Sequence, residues 1–377
     1  MPPVSVGWRP SASSVLPRHL SNALPSRPVL LAFVASRALV LATAVAAEAW
    51  VGRNPRLTSG SDAPLLRSLT AWDGWWYLGI ARDGYSAAPL AGQGPNLAFW
   101  PLYPILVRLV SLPWPSLDSL LAVLLSNLAF LLALGLVERL GAKVLADARA
   151  TRGAVLLAIS PFGFAFSMAY PESLFLLLAV AGCLAAERGR WALAGISTSL
   201  ATLARLAGLA LLPTLLWIGL NRWRSDWRWI AWLGLVPAAA LVFFAFTALL
   251  AGRPDAYLAA EAAWGRGGVA SDPGSLASHL DWIRASQLAT FLAAIYLLVF
   301  ARVDGLPGRY LAWPIVALAL EFASGNLVSV GRHLTVVVPF FWLLAGRRSR
   351  LGRTWPLVSA SLLVLASFVV FTGQYVP

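Results

Sequence analysis

The chain has 377 residues, 59% of them hydrophobic and 12% charged, with a net charge of +13 and a mean hydropathy of +0.73. That balance excludes a water-soluble globular domain, and membrane topology accounts for the basic charge better than nucleic-acid binding does. The single cysteine, Cys183, excludes an internal disulfide, and histidines at 19, 279 and 333 are too scattered for a metal site.

In chain order, residues 1–28 are rich in Pro and Ser and read as a disordered cytoplasmic tail carrying Arg18 and Arg27. The first apolar run, 29–50, is too long for a cleavable signal and lacks a clear small-residue cleavage site. Further apolar segments fall at 117–137, 153–170, 172–187, 191–204, 206–220, 229–251, 286–301, 310–324, 333–346 and 355–373. The expected fold is therefore all-α, a single polytopic membrane domain over 29–377 with about eleven transmembrane helices. Several middle segments are short for a full span. Interrupted segments at membrane depth survive only when packed in protein or lining a cavity, so 153–220 is expected to form a cavity wall.

With the N-terminus inside, the alternating inner connections carry Arg139, Lys143, Arg149, Arg152, Arg188, Arg190, Arg222, Arg224, Arg228, Arg302, Arg309, Arg347, Arg348, Arg350 and Arg353. Fewer cations fall on the opposite side, over longer segments. The positive-inside rule then puts the two long connections, 51–116 and 252–285, on the outer face. Long connections of this kind usually carry function.

Within the first long connection, Leu69, Trp72, Trp76 and Ile80 recur at helical spacing, as do Trp100, Tyr103, Val107 and Val110. Both stripes predict amphipathic helices lying at the membrane interface, with Trp and Tyr at headgroup level. Asp73 sits beside the first stripe, facing either a cavity or water.

The stretch WDGWWYLGIARDGY at 72–85, followed by FWPLYPILVRLV at 99–110, resembles the signature of the PIG-V family. That family comprises the second mannosyltransferase of glycosylphosphatidylinositol synthesis and its bacterial relatives. The likeness continues through YPESLFLLLAVAGCLAAERGRWALAGISTSLATLARLAGLALLP, YLAAEAAWGR and SVGRHLTVVVPFF, covering most of the chain after residue 30. The chain departs from the family's usual residues at His333, where a tyrosine is common, and at Pro171, where a small polar residue is. The resemblance implies a bacterial member with a GT-C type glycosyltransferase fold, taking its sugar from a lipid phosphate.

Sugar transfer from a polyprenyl phosphate needs a base for the acceptor hydroxyl, cations for the departing phosphate, and a water-poor groove. Phosphate leaves readily, so one carboxylate and a few arginines suffice. The sequence has no D-x-D pair and no glycine fingerprint for a nucleotide, so neither a metal nor another cofactor is expected. Asp73 is the candidate general base; otherwise it is a solvated interfacial acid or a helix cap. Arg37, near the middle of the first span, binds either the lipid phosphate or an acid, functional or structural. Arg205 and Arg332, tightly bounded by apolar sequence, are candidates to grip the donor phosphate, or else snorkel to headgroups. Glu172 binds a sugar hydroxyl, holds an arginine, or caps a helix after Pro171. Glu321, inside a span, is expected to pair with Arg205 or Arg332. His333 reads as packed or hydrogen-bonding, Asp83 as a turn residue or a site residue, and Trp264 with Arg266 as a cover for the acceptor. Trp72, Tyr77 and Tyr103 complete the substrate-binding candidates.

The expected activity is inverting mannosyl transfer on the outer face of a bacterial plasma membrane. The expected partners are a polyprenyl-phosphate sugar donor, a glycolipid or glycan acceptor and the lipid bilayer, with no nucleic acid. Transfer of another sugar from the same carrier is the alternative within the class. A lipid-carrier flippase would call for an internal repeat, and none is evident. A non-catalytic scaffold would leave Arg37 and Glu321 unexplained.

Overall fold

The computed structural model describes residues 24–51, 58–89, 94–145, 148–222, 227–265, 282–301, 304–324, 327–346 and 350–374. Among these the regular structure is helical, apart from an isolated antiparallel bridge between Ser59 and Ala71. The chain opens with α1 (Arg27–Val51), and the first long connection holds α2 (Pro64–Leu69), α3 (Asp73–Asp83) and α4 (Leu102–Ser111). Next come α5 (Asp118–Leu145), α6 (Arg149–Ala158), α7 (Glu172–Glu187), α8 (Trp191–Ala204), α9 (Leu212–Arg222) and α10 (Arg228–Ala251). The remainder contains α11 (Ala256–Ala263), α12 (Trp282–Val299), α13 (Ala312–Ser324), α14 (Val330–Thr335), α15 (Pro339–Gly346) and α16 (Arg350–Phe371).

Among the described residues four helical stretches, Arg27–Val51, Pro115–Leu145, Arg228–Ala251 and Thr354–Phe371, are long and apolar enough to cross a bilayer. Leu31, Val45, Leu249 and Leu357 are exposed on them, as lipid-facing surfaces require. The other apolar segments are helical but shorter. Segment 153–170 ends its α-helix at Ala158 and resumes as a 3-10 turn at Gly163–Phe166, because Pro161 lacks an N–H and restricts the residue before it. Segment 333–346 is split into α14 and α15 just before Pro339.

Helices α7 and α8 form a hairpin through Gly189, whose φ of 70° suits a residue without Cβ. Helix α10 packs across α8, α5 packs against α7 and α6, α15 against α6, and α16 against α1. At the α8–α10 crossing, a Cβ on Gly195 would stand 2.3 Å from the Trp232 carbonyl oxygen. Gly195→Ala must therefore force two helix backbones apart, an overpacking cost of about 1–3 kcal/mol. Gly79, with nothing within 4 Å of its would-be Cβ, is the matched control. Thermal unfolding in the same nanodisc should show Gly195→Ala falling well below wild type, and Gly79→Ala equal to it or higher.

Two expectations for the first long connection change. The apolar side of helix α3 is covered by protein rather than free to face lipid: Trp76, Tyr77, Leu78 and Ile80 are buried. Its rings serve as core, with Trp76 stacked on Phe99 at 5.4 Å and Tyr77 edge-on to Tyr103 at 5.5 Å. Leu69 belongs to α2 and Trp72 precedes α3, so the expected stripe spans a sharp turn. Helix α4 is amphipathic, but Trp100 lies before it, and the free apolar face is Ile105, Leu109 and Leu112 with Val110 beside it.

Residues 1–23 of the expected tail lie outside the described residues. Its end is anchored: the Ser26 N–H and hydroxyl donate to Glu138 at 2.8 and 2.6 Å. Arg266, in the late connection, also lies outside the described residues.

Candidate active site

The site is built where α3 begins. Ahead of it the Trp72 N–H donates to the Thr58 carbonyl at 3.0 Å, and the Gly74 N–H to Ala71 at 3.0 Å, closing a tight turn. Trp72 occupies the middle of that turn at φ 57°, the one positive φ on a non-glycine among the described residues. A bulky residue there is strained, and it persists because the surroundings hold it. Its indole Nε1 donates to the Val370 carbonyl at 3.2 Å, and the Ala169 N–H donates to Leu69 at 2.8 Å. At the far end of α3, Arg82 donates to Asp118 at 2.5 Å and to the Gly60 carbonyl at 2.9 Å. Arg108 caps the last carbonyls of α3, at Ala81 and Arg82, both at 3.1 Å.

Thus fixed, Asp73 is the first residue of α3 and faces three other charges. Arg332 Nη1 donates to Asp73 Oδ2 at 2.5 Å, and Arg332 Nε lies 3.4 Å from Glu172 Oε1. Arg205 donates to the same Glu172 oxygen. The result is an alternating chain, Asp73, Arg332, Glu172, Arg205, with no net charge. Each acid opens a helix, where the macrodipole favours an anion: Asp73 on α3 and Glu172 on α7 behind Pro171. Arg205 ends α8 in an extended conformation, and Arg332 stands on the short six-residue α14.

Burial within the chain is uneven. The side chains of Glu172 and Arg332 are 1% and 2% exposed, Arg205 16%, and Asp73 24%. Asp73 is therefore the most exposed member of the chain of charges. The Arg332 guanidinium also lies over the Tyr170 ring at 5.1 Å. Tyr170 thus adjoins the charge cluster, a neighbour that sequence reasoning passed over although it stands directly before the Pro-Glu that opens α7. Tyr77, one turn after Asp73 and close to both acids, is a neutral phenol: burial, then the Asp73 and Glu172 charges, push its pKa well above the ordinary value.

The other candidates fall elsewhere. Arg37 is not in the charge cluster and makes no ion pair among the described residues: it donates to Ser167 Oγ at 2.8 Å and the Gly163 carbonyl at 3.0 Å, over the Phe130 ring at 4.9 Å. In this structure its guanidinium is hydrogen-bonded to the 3-10 turn through the Gly163 carbonyl and to Ser167. Glu321 pairs with neither arginine but with His333, whose Nδ1 is 2.8 Å from Glu321 Oε1. Asp83 is exposed at the last turn of α3, ten residues and about 15 Å along the helix from Asp73. Tyr103 is fully buried, hydrogen-bonded to Ser126 at 2.8 Å and the Ala122 carbonyl at 2.9 Å, and supports α3 from beneath. Trp264 folds back from the late connection onto Trp76 at 5.0 Å and Phe99 at 5.6 Å, roofing the α3 aromatic layer.

Behind α14 lies a cavity of about 530 Å³, lined by apolar residues of α12, α15 and α16 and by Phe162. Gly331, Leu334 and Thr335 of α14 face it, so the helix that carries Arg332 is also a cavity wall. Gln287 of α12, itself lining the cavity, accepts the Gly331 N–H at 2.7 Å and holds α14 in place. The Phe162 ring would lie 2.1 Å from a Cβ on Gly331, which is why no larger residue fits there. Among the described residues no three His, Cys, Asp or Glu side chains converge.

Two solved structures of the Archaeoglobus fulgidus oligosaccharyltransferase resemble the chain at low identity. One, tethered to an acceptor peptide with an NVT sequon, is 13% identical with a TM-score of 0.44 and is matched over 90% of this chain and 55% of that one. The other, AglB with an inhibitory peptide and a dolichol-phosphate, is 14% identical at 0.44, over 90% of this chain and 56% of that one. The chain thus spans about half the length of the solved structures it matches. No curated protein matches it. With four helices fit to cross a bilayer and a model of the family "Mannosyltransferase (PIG-V)" matching residues 30–228, more than half its length, the chain belongs to the PIG-V mannosyltransferase family.

Proposed function

We propose that the protein is an inverting glycosyltransferase of the GT-C type in a bacterial plasma membrane. It moves mannose from a polyprenyl-phosphate carrier to a membrane glycolipid or envelope glycan on the outer face. The observation that carries this reading is a partly open carboxylate, Asp73, paired at 2.5 Å with a buried arginine whose helix, through Gly331, Leu334 and Thr335, walls an apolar cavity. The cavity suits an isoprenoid tail. Tyr296, Leu362 and Leu365 line it while remaining exposed, so it opens toward the bilayer.

In the proposed step Asp73 accepts the proton of the acceptor hydroxyl, whose oxygen attacks the anomeric carbon from the face opposite the phosphate. The bond from that carbon to the phosphate oxygen breaks, and polyprenyl phosphate departs with the electron pair, its charge met by Arg332 and Arg205. No proton donor to the leaving group is required. Nothing in this cluster reads a hydroxyl configuration, so another hexose on the same carrier is the alternative donor.

The test uses purified protein in nanodiscs with polyprenyl-phosphate-mannose, a crude lipid acceptor pool, and the corresponding glucose donor in parallel. Mannose transfer that survives a chelator supports the reading. Transfer of glucose alone would replace the donor, loss of activity with chelator would contradict a metal-free step, and carrier movement without transfer would favour a flippase.

The tail site makes a separate prediction. Ala293 lines the cavity at its exposed side, and Ala293→Trp would fill that space. The KM for long-chain donors should rise roughly tenfold, as expected for losing about 1.4 kcal/mol of apolar contact, with kcat held. A donor carrying only two isoprene units should be affected little.

A further inference from the structure

We propose that the donor phosphate and Asp73 compete for Arg332, so that docking of the donor releases the base; the inference rests on the glycosyltransferase reading above. In the resting protein both cations are neutralised. Arg332 is bound to Asp73 and Glu172, and Arg205 to Glu172. An incoming phosphodiester must therefore displace a carboxylate from an arginine.

Geometry says which one. An inverting displacement sets acceptor oxygen, anomeric carbon and phosphate oxygen roughly in line, with the base at the acceptor end and the phosphate-binding cation at the other. An arginine 2.5 Å from the base cannot stand at both ends of that line. Glu172 is 1% exposed and held between two arginines, so it is the fixed acid. Asp73, 24% exposed, is the movable one. Arg332 is the cation whose helix faces the apolar cavity, through Gly331, Leu334 and Thr335, and so lies nearest a phosphate whose tail fills it. Glu172 and the Tyr170 ring keep Arg332 in place while Asp73 leaves. Freed from its guanidinium, Asp73 has the oxygen that Arg332 occupied available to the acceptor hydroxyl. Glu172 acts here as a positioning residue. Donor binding then precedes activation of the acceptor.

The experiment measures binding of polyprenyl phosphate, the carrier without sugar, to wild type and Asp73→Asn in nanodiscs, with polyprenol as the uncharged control. With the charge gone and only a neutral amide left to compete, polyprenyl phosphate should bind roughly tenfold tighter, the size of an ordinary coupling between sites, and polyprenol should be unchanged. The gain should persist at high salt, where a through-space charge effect would fade. Equal or weaker binding by the variant overturns the proposal. Absence of binding by both proteins instead overturns the lipid-phosphate reading beneath it. Should Asp73→Asn fail to fold, carbodiimide labelling of Asp73 in wild type gives the same answer: because the probe lacks a hexose, nothing covers the released carboxylate. Labelling should rise severalfold when polyprenyl phosphate is added, and unchanged labelling contradicts release.

Discussion

Asp73→Asn is expected to lower kcat for sugar transfer by about 10²–10⁴, the range for losing a general base, while the protein keeps its fold. The amide matches the carboxylate in size and can still accept from Arg332 through its oxygen, so the turn at Trp72 and the start of α3 need not move. It cannot take a proton from an acceptor hydroxyl. Arg332 retains Glu172 at 3.4 Å, and Asp73 is the most exposed of the four charges, so little buried charge is stranded. The measurement is single-turnover transfer in nanodiscs, with thermal unfolding alongside. A variant transferring at the wild-type rate removes Asp73 from the chemistry. A variant that loses activity and stability together makes the pair structural. Asp83→Asn, on the same helix but exposed and about 15 Å away, should be silent in both assays.

The difference between those two aspartates shows what a linear reading resolves. Both stand in one aromatic-rich stretch, and spacing alone does not separate them. What separates them is the helix: α3 runs from one to the other, so they stand at its opposite ends, one against Arg332 and one in the open. The charges themselves were legible. Arg205, Arg332 and Glu172 stand out because a bare ion in an apolar run is costly and must be satisfied. Their pairing was not, since Asp73 and Arg332 are 259 residues apart and Glu172 and Arg205 33.

Arg37 shows the converse limit. Its cost at mid-span is visible in sequence, but it is satisfied by a backbone carbonyl, a serine and an aromatic face, none of which a charge count finds. Glu321 likewise takes the neighbour of the expected arginine, His333. The aromatic residues of 72–85 were read as interface anchors because Trp and Tyr favour that depth. They are core because the late connection folds back over them through Trp264, a contact between segments nearly two hundred residues apart in the chain. The short helices had a local cause that was legible, in Pro161 and Pro339.

Glu172→Gln is expected to be the most destabilising of these substitutions, costing about 3–5 kcal/mol, the usual penalty for breaking a buried ion pair from one side. The carboxylate is 1% exposed and bridges two guanidiniums, so its neutral analogue leaves Arg205 without its acid and Arg332 with Asp73 alone. Because the loss comes from stranded charge, removing one of the charges should recover part of it. Arg205→Met in the Glu172→Gln background should therefore cost less than the sum of the two single changes, with an interaction of about 1–3 kcal/mol in a denaturant titration of the four proteins. Additive losses would show that Arg205 and Glu172 are not coupled. A single-mutant cost below about 1 kcal/mol would mean that the acid is solvated in the membrane-bound protein. The activity of the double variant then bears on the cluster's purpose. It keeps Asp73 and Arg332 in contact but lacks the acid that fixes Arg332, so transfer should stay low even where stability returns.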